Sequence, residues 1–413
     1  MTIHDLKTAT AMTARPALAL IDGKLAPLRD DLMIRARRVA AVAAQHAETV
    51  DRDGRFPQEA IDAAKAEGLM GVMAPAALGG EDASVSQIVD ICYMLGGACA
   101  STAMIYAMHQ VKVACVIRHG IGAEWHEGFL RRLTGEQLLV ASSTTEGQGG
   151  GNVRSSEAPI ERDASRIKLE RQASVISYGE QADAVVTTAR RGAESDASDQ
   201  VLVVFLKADY SLERTLNWDT LGMRGTCSAG FTLRAAGRGA QILPEPYGVI
   251  HTQSMVPAAH LMWSGVWAGV AAGAVERARK YMRKAARGAD GQLPPAAAYF
   301  TRAGSSLRSL RALIAATLDR YEAAALNPAE LSSIDFQTAI NLLKVDSSEL
   351  AVSTVMSALR ACGLSGYRND SDVSIGRHLR DILSSPIMIN NDRILASIGA
   401  SSLMSETPHS IRD

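Results

Sequence analysis

Aromatic residues are scarce: Phe, Tyr and Trp together make up 5% of the 413 residues. A surface that stacks bases needs more of them, which disfavours a nucleic-acid platform. An excess of either charge is also missing, because 43 Lys and Arg stand against 44 Asp and Glu for a net charge of −1. No general pull towards nucleic acid or an anionic membrane follows, and a phosphate-bearing ligand must be held by local groups. Cysteine is sparse and odd in number: Cys92, Cys99, Cys115, Cys227 and Cys362, with no C-x-x-C pair. That reads as free buried thiols in a reducing cytoplasm, with neither a disulfide frame nor a metal site. No uninterrupted apolar run reaches the roughly 18 residues that span a bilayer. Residues 1–17 lack a signal peptide's apolar core and Asp5 is out of place in a transit peptide, so a loose arm is expected there. Internal repeats are absent, as is any low-complexity tract beyond alanine enrichment.

What is present is apolar and small. Hydrophobic residues reach 47%, enough for two or three domains around a large core. Residues 18–135 read as a helical domain. Phe56-Pro57 opens a helix carrying Ala60, Ile61, Ala64 and Leu69 at helical spacing, punctuated by Gly68, Pro75 and a Gly79-Gly80 turn. Residues 136–248 change texture. The runs 138–141, 184–189 and 201–206 are β-prone, 192–200 reads as a hairpin loop, and Pro244-Glu245-Pro246 closes the region. Residues 249–413 return to the helical period. Gly265, Gly269 and Gly273 recur every four residues and clear one face for close packing, while Phe336, Ile340, Leu343 and Leu350 mark a second amphipathic helix. The fold class is mainly α with a central β domain.

Four separated blocks carry chemistry. The first is Phe56-Pro57 with the run 68–75 and Gly79-Gly80. Alone it is a capped helix and a turn. The second is Thr144-Thr145-Glu146-Gly147-Gln148-Gly149-Gly150-Gly151-Asn152, whose glycines let backbone N–H groups approach a planar ring or a phosphate. It is no dinucleotide fingerprint, because no helix follows. The third is Gln172 to Asp183 with Asp219 to Thr226, by itself a strand and a turn. The fourth is Gly363-Leu364-Ser365-Gly366-Tyr367 with Arg380-Asp381 and the run to Arg393.

Together these blocks resemble the acyl-CoA dehydrogenase superfamily over nearly the whole chain. The resemblance implies an N-terminal helical domain, a middle β-barrel or sandwich and a C-terminal four-helix bundle. It also implies FAD, a CoA thioester substrate and a homotetramer or homodimer in the cytoplasm, with no nucleic acid and no membrane. Residue by residue, Ser142, Thr145, Gly150 and Gly151 would contact FAD, with Gly151 in place of the family Ser. Val175 replaces a Trp that covers the flavin, and Ser177 replaces a Thr able to donate near N5 and O4. Arg287 stands in for the Arg of an inter-subunit element, and Arg360 for a Gln that contacts the partner's FAD. Arg380 and Asp381 read as a structural pair at a buried junction.

The departure is at the catalytic base. A gapless count from Arg380-Asp381 puts Met388-Ile389-Asn390-Asn391 where the family has Tyr-Glu-Gly-Thr. Ile389 cannot take a proton, and its backbone N–H alone would remain as an oxyanion donor. Ala259 occupies the second known home of the Glu. His260 replaces an Arg and is the candidate acid–base group, against the plainer reading of a structural histidine; His378 is a weaker one. Asn390 and Asn391 would sit beside the flavin. Three readings follow: a flavin oxygenase that uses dioxygen and needs no α-carbon base, a dehydrogenase with its base at His260 or Glu146 or on the substrate, and a non-catalytic flavoprotein subunit.

Overall fold

The structure is a computed structural model that describes residues 18–21, 24–27, 31–146, 154–403 and 409–410. The arm expected at 1–17 lies outside the described residues. Residues expected to start the helical domain at 18 instead form an antiparallel pair, β1 (Leu18–Ile21) and β2 (Lys24–Pro27). Each segment is four residues long, too short to hold a helix on its own.

Helix α1 (Leu32–Asp53) starts where the Asp31 carboxylate accepts the Met33 N–H at 2.8 Å and stops at Gly54, whose φ of 59° suits glycine. It buries Ala36, Val39, Ala43, Ala47 and Val50 at helical spacing. Next come α2 (Gln58–Ala66), α3 (Val85–Ala98) behind a Ser84–Gln87 capping box, α4 (Ala100–Gly120) and α5 (Glu124–Glu136).

The β-prone runs form two sheets. Strand β3 (Val140–Ser143) pairs parallel with β6 (Ala184–Arg190), which makes a hairpin with β7 (Gln200–Leu206). The second sheet runs β4 (Glu161–Asp163), β5 (Arg166–Ala173), β9 (Gly230–Arg238), β8 (Tyr210–Leu216) in spatial order. Strand β5 alternates strictly, with Ile167, Leu169, Arg171 and Ala173 turned inward.

The chain then enters α6 (Tyr247–Ile250), passes through a π-helical turn at His251–Met255 and continues as α7 (Val256–Arg287). Helices α8 (Ala297–Ala324), α9 (Pro328–Leu331), α10 (Ile334–Cys362), α11 (Leu364–Tyr367), α12 (Gly376–Ile382) and α13 (Asn391–Ser402) complete the fold. The bundle is α7, α8 and α10, with α13 packed on α10. The glycine stripe does what its spacing predicts. A Cβ on Gly269 would stand 2.2 Å from the Tyr93 carbonyl oxygen, and one on Gly96 would stand 2.4 Å from that of Val266. Helices α3 and α7 thus touch backbone to backbone.

Two helical stretches, Ala100–Gly120 and Tyr247–Arg287, are long and apolar enough by length and composition to cross a bilayer, although the sequence held no uninterrupted run. Both are core helices, with 83% and 78% of their most apolar windows buried.

The three parts are clasped at one point. Arg380 pairs with Asp51 of α1 and donates through Nε to the Leu221 carbonyl at 3.1 Å. Asp381 accepts the Met223 N–H at 2.7 Å. The two residues do not pair with each other as expected; Arg380 is taken by Asp51 and the Leu221 carbonyl, and Asp381 by the Met223 N–H. Gly222 permits this, since a Cβ there would lie 2.1 Å from the Arg380 carbonyl oxygen.

Candidate active site

The second and third sequence blocks meet at the edge of the middle domain. Glu146 bridges to Ala173, and Ser174 Oγ donates to Thr145 Oγ1 at 3.5 Å. Ser142, Thr145 and Ser177 are half-buried. Gly150 and Gly151 lie outside the described residues. Val175 is 36% exposed.

Ser177 heads a hydroxyl chain. Its Oγ lies 2.7 Å from Ser228 Oγ, which lies 2.7 Å from Thr226 Oγ1, which donates to the Met223 carbonyl at 2.8 Å. A carbonyl only accepts, so the one Thr226 proton is spent there. Ser228 must then donate to Thr226, and Ser177 to Ser228. Ser177 therefore presents lone pairs to its open side, whereas the sequence suggested a donor. Ser177→Ala is expected to weaken flavin affinity about tenfold, roughly one net hydrogen bond; titration of flavin fluorescence checks it, and unchanged affinity and spectrum would remove Ser177 from the site.

The C-terminal side is unusual. Ile389 is half-buried with φ of 47°. That left-handed conformation is uncommon for any side chain but glycine and most costly for a β-branched one. Its N–H has no backbone acceptor among the described residues. Asn390 is exposed, and its Oδ1 accepts the Asp392 N–H at 2.8 Å at the start of α13. Asn391 is buried and turned into the bundle: Oδ1 accepts Lys344 Nζ at 2.6 Å and Nδ2 donates to Ser348 Oγ at 3.0 Å. Lys344 went unnoticed in the sequence. It is fully buried, 5.7 Å from the Trp267 ring, and desolvation pulls its pKa down to about 8. Its signal was position: it follows Ile340 and Leu343 on the inward stripe of α10.

His260 donates from Nδ1 to the Ile340 carbonyl at 3.0 Å, leaving Nε2 as the free lone pair. Burial depresses its pKa to about 3, which makes it a weak base near neutrality. Glu146 is occupied: its carboxylate accepts the N–H groups of Glu157 and Ala158 at 2.7 and 3.3 Å and lies 3.5 Å from Arg171. His378 is buried, and burial together with Arg377 and Arg277 holds it well below the usual imidazole range. Arg287 is exposed at the end of α7. Arg360 is exposed on α10 with its guanidinium 4.0 Å from the Tyr299 ring centroid.

Neutral buried histidines make the fold acid-sensitive. His109 accepts the Val140 N–H at Nδ1 and donates to the Met70 carbonyl, and burial lowers its pKa to about 4, as it does for His251. A folded-state pKa below the unfolded value contributes stability above the unfolded pKa and loses it as pH falls towards the folded one. His109 and His251 should each cost about 3 kcal/mol between pH 6.5 and 4. Asp381, raised to about 6 by burial, works in the opposite direction and offsets part of this. Urea melts are expected to lose midpoint steeply below pH 6; a flat profile to pH 4.5 would contradict it.

Residues 30–136 match the family pattern described as acyl-CoA dehydrogenase, N-terminal domain, and residues 248–404 match acyl-CoA dehydrogenase, C-terminal domain. Over 187 residues the chain is 30% identical to cyclohex-1-ene-1-carbonyl-CoA dehydrogenase of Geobacter metallireducens, covering 45% of this chain and 49% of that protein. The match spans about half the length of the curated relatives. Among solved structures, FMN-bound TdsC from Paenibacillus sp. A11-2 superposes with a TM-score of 0.79 at 18% identity, covering 92% of this chain and 99% of TdsC. KijD3 in complex with FMN and dTDP-3-amino-2,3,6-trideoxy-4-keto-3-methyl-D-glucose superposes with a TM-score of 0.77 at 21% identity, covering 93% and 95%. These two likenesses establish the fold.

Proposed function

The chain belongs to the acyl-CoA dehydrogenase family, and from that premise we propose that it is a flavin-dependent monooxygenase rather than an α,β-dehydrogenase. The reading is carried by Ile389, which stands where a gapless count from Arg380-Asp381 sets the family's catalytic Glu, and none of the candidate replacements is a base suited to neutral pH. His260 is depressed to about 3, and Glu146 is engaged with Arg171 and two backbone N–H groups. TdsC is a dibenzothiophene monooxygenase, which supports the same chemistry on this fold.

The residues fit the polar edge of a flavin. Ser142, Thr145, Ser174 and Ser177 offer hydroxyls along one rim, and the exposed Val175 leaves a face uncovered. A bound reduced flavin would supply the electrons that activate dioxygen. The chain's own part is to bind and to shield. Ser177 holds a lone pair towards the rim, which suits the N–H of a reduced N5 better than the bare nitrogen of the oxidised form. Ile389 sets hydrocarbon where a carboxylate would bring water. Its backbone N–H stays available to a substrate carbonyl.

The flavin is proposed as FAD, with Arg287 and Arg360 reaching a partner subunit's dinucleotide. Met356 and Arg360 are exposed one turn apart on α10, and Leu364 is exposed at the start of α11, a region suited to a homodimer or homotetramer. The substrate is proposed as a thioester. Reduced FMN or FAD supplied in air, with isotope-labelled dioxygen, tests the function: label is expected in product, together with oxygen uptake. Anaerobic bleaching of the flavin by an acyl-CoA, with no label incorporated, would make the protein a dehydrogenase instead, the reading that the Geobacter relative favours.

A further inference from the structure

A cavity of about 220 Å³ lies where α1, α3, α7 and α12 meet. Its apolar lining is small: Ala44, Gly97, Ala98 and Gly273 bring no side chain larger than a methyl group. Its polar lining is Glu276, Arg277 and Lys280 from α7, with Arg377 and His378 from α12. Three cations thus share the cavity with one carboxylate, and that carboxylate is taken. Arg279 donates to both Glu276 oxygens, each at 2.6 Å. Lys280, exposed, reaches Glu276 at electrostatic range.

The two guanidiniums act on each other. Burial, and after it the charge of Arg377, holds Arg277 below the usual guanidinium range. Arg277 Nη1 donates to the Ser374 carbonyl at 2.9 Å, and Arg377 Nη2 donates to the Ala98 carbonyl at 3.3 Å. Neither contact neutralises a charge. Asp381 stands 3.9 Å from Arg377, beyond hydrogen-bond reach, and its Oδ1 is given to the Met223 N–H. Glu48 acts on Arg277 at electrostatic range. A guanidinium fork has several N–H donors, so most of both forks is left for an acceptor. His378 is 3% exposed, and both arginines act on it. Its Nδ1 is buried without a partner, and its Nε2 faces Gly273, where a Cβ would stand 2.9 Å away. The bare glycine therefore leaves Nε2 open to the cavity. Like charges gathered in a half-buried cleft, with no free counter-charge in contact, are costly without an occupant.

We propose that this cavity binds a phosphoryl oxyanion, gripped by Arg277 and Arg377, with Lys280 and His378 as further donors. Two planar forks and an ammonium group approach from two helices, which suits a tetrahedral, doubly charged group better than a flat carboxylate. The cavity has no aliphatic wall for a hydrocarbon body, so the charged group itself is what it recognises. None of these residues is assigned to the flavin above, and the proposal stands without that reading. Ala98 ends α3 and Ser374 precedes α12, so an anion held by both arginines would tie the N-terminal helical part to the bundle.

The test uses the full chain with inorganic phosphate, AMP and acetate, read by calorimetry and melting temperature at constant ionic strength. Phosphate is expected to bind and to raise the melting temperature by a few degrees, while acetate does neither. AMP that displaces phosphate makes the natural occupant a phosphoryl group on a larger molecule; AMP that does not makes it the free ion. Arg277→Met is expected to weaken phosphate binding about tenfold or more. Lys280→Gln, at an exposed position that leaves the fold alone, is expected to weaken it roughly three- to fivefold. Lys284→Gln removes an exposed cation one turn further along α7, outside the lining, and is expected to leave phosphate binding unchanged. If Arg277→Met does not fold, the contrast between Lys280→Gln and Lys284→Gln decides. The proposal is overturned by a parent that does not bind phosphate, by acetate binding as well as phosphate, by binding that survives both lining substitutions, or by equal losses at 280 and 284.

Discussion

Ile389→Glu is expected to let an acyl-CoA reduce the bound flavin anaerobically, at a rate roughly 10²–10⁴ above the parent, the usual worth of a positioned general base. The backbone favours the change. Ile389 holds φ at 47°, where a β-branched side chain is the worst tenant and an unbranched one is less strained. Glutamate should therefore enter without loss of stability. It would stand in the family position, with the N–H of the same residue still free to polarise a thioester carbonyl. Stopped-flow absorbance near the flavin maximum reads the outcome. No acceleration would mean that residue 389 does not face the reacting carbon, or that the cleft does not admit acyl-CoA.

Gly269→Ala is expected to cost about 3 kcal/mol or more, measured by urea denaturation. Overpacking of a core ordinarily costs about 1–3 kcal/mol. Here the new methyl would stand 2.2 Å from the Tyr93 oxygen, 2.9 Å from its carbonyl carbon and 3.0 Å from Gly96 Cα. All three are main-chain atoms of α3, so no rotamer change can yield, and the two helices must separate along a buried seam. The intrinsic preference of helices for alanine returns only about 1 kcal/mol. Gly128→Ala on α5, where a Cβ meets nothing within 4 Å, is the control and should stabilise slightly. Equal stability for parent and Gly269→Ala would mean that the α3–α7 crossing is looser than described.

Much of this was legible in the sequence because local spacing encodes it. The four-residue glycine period gave the crossing, and the β-prone runs at 184–189 and 201–206 gave the hairpin of β6 and β7. What escaped depends on partners far along the chain. Asn391 looked like a flavin contact until Lys344 and Ser348, 47 and 43 residues away, claimed its carboxamide. The polarity of Ser177 is set by Thr226 and the Met223 carbonyl, which no local reading connects. Another feature was readable and overlooked. Arg171 keeps step with Ile167, Leu169 and Ala173, and period two puts it inside.

The clasp of Asp51, Arg380 and Asp381 with the Leu221–Met223 turn constrains how such a protein can diversify. The loop that grips both helical parts belongs to the middle segment, and it fits only because Gly222 presses bare against Arg380. A middle segment borrowed from a cousin would have to bring that glycine and a donor N–H in the same register, or the outer parts would lose their shared hinge pin. Recombination by whole segments is therefore hard, and new specificities should arise through substitutions within the cleft.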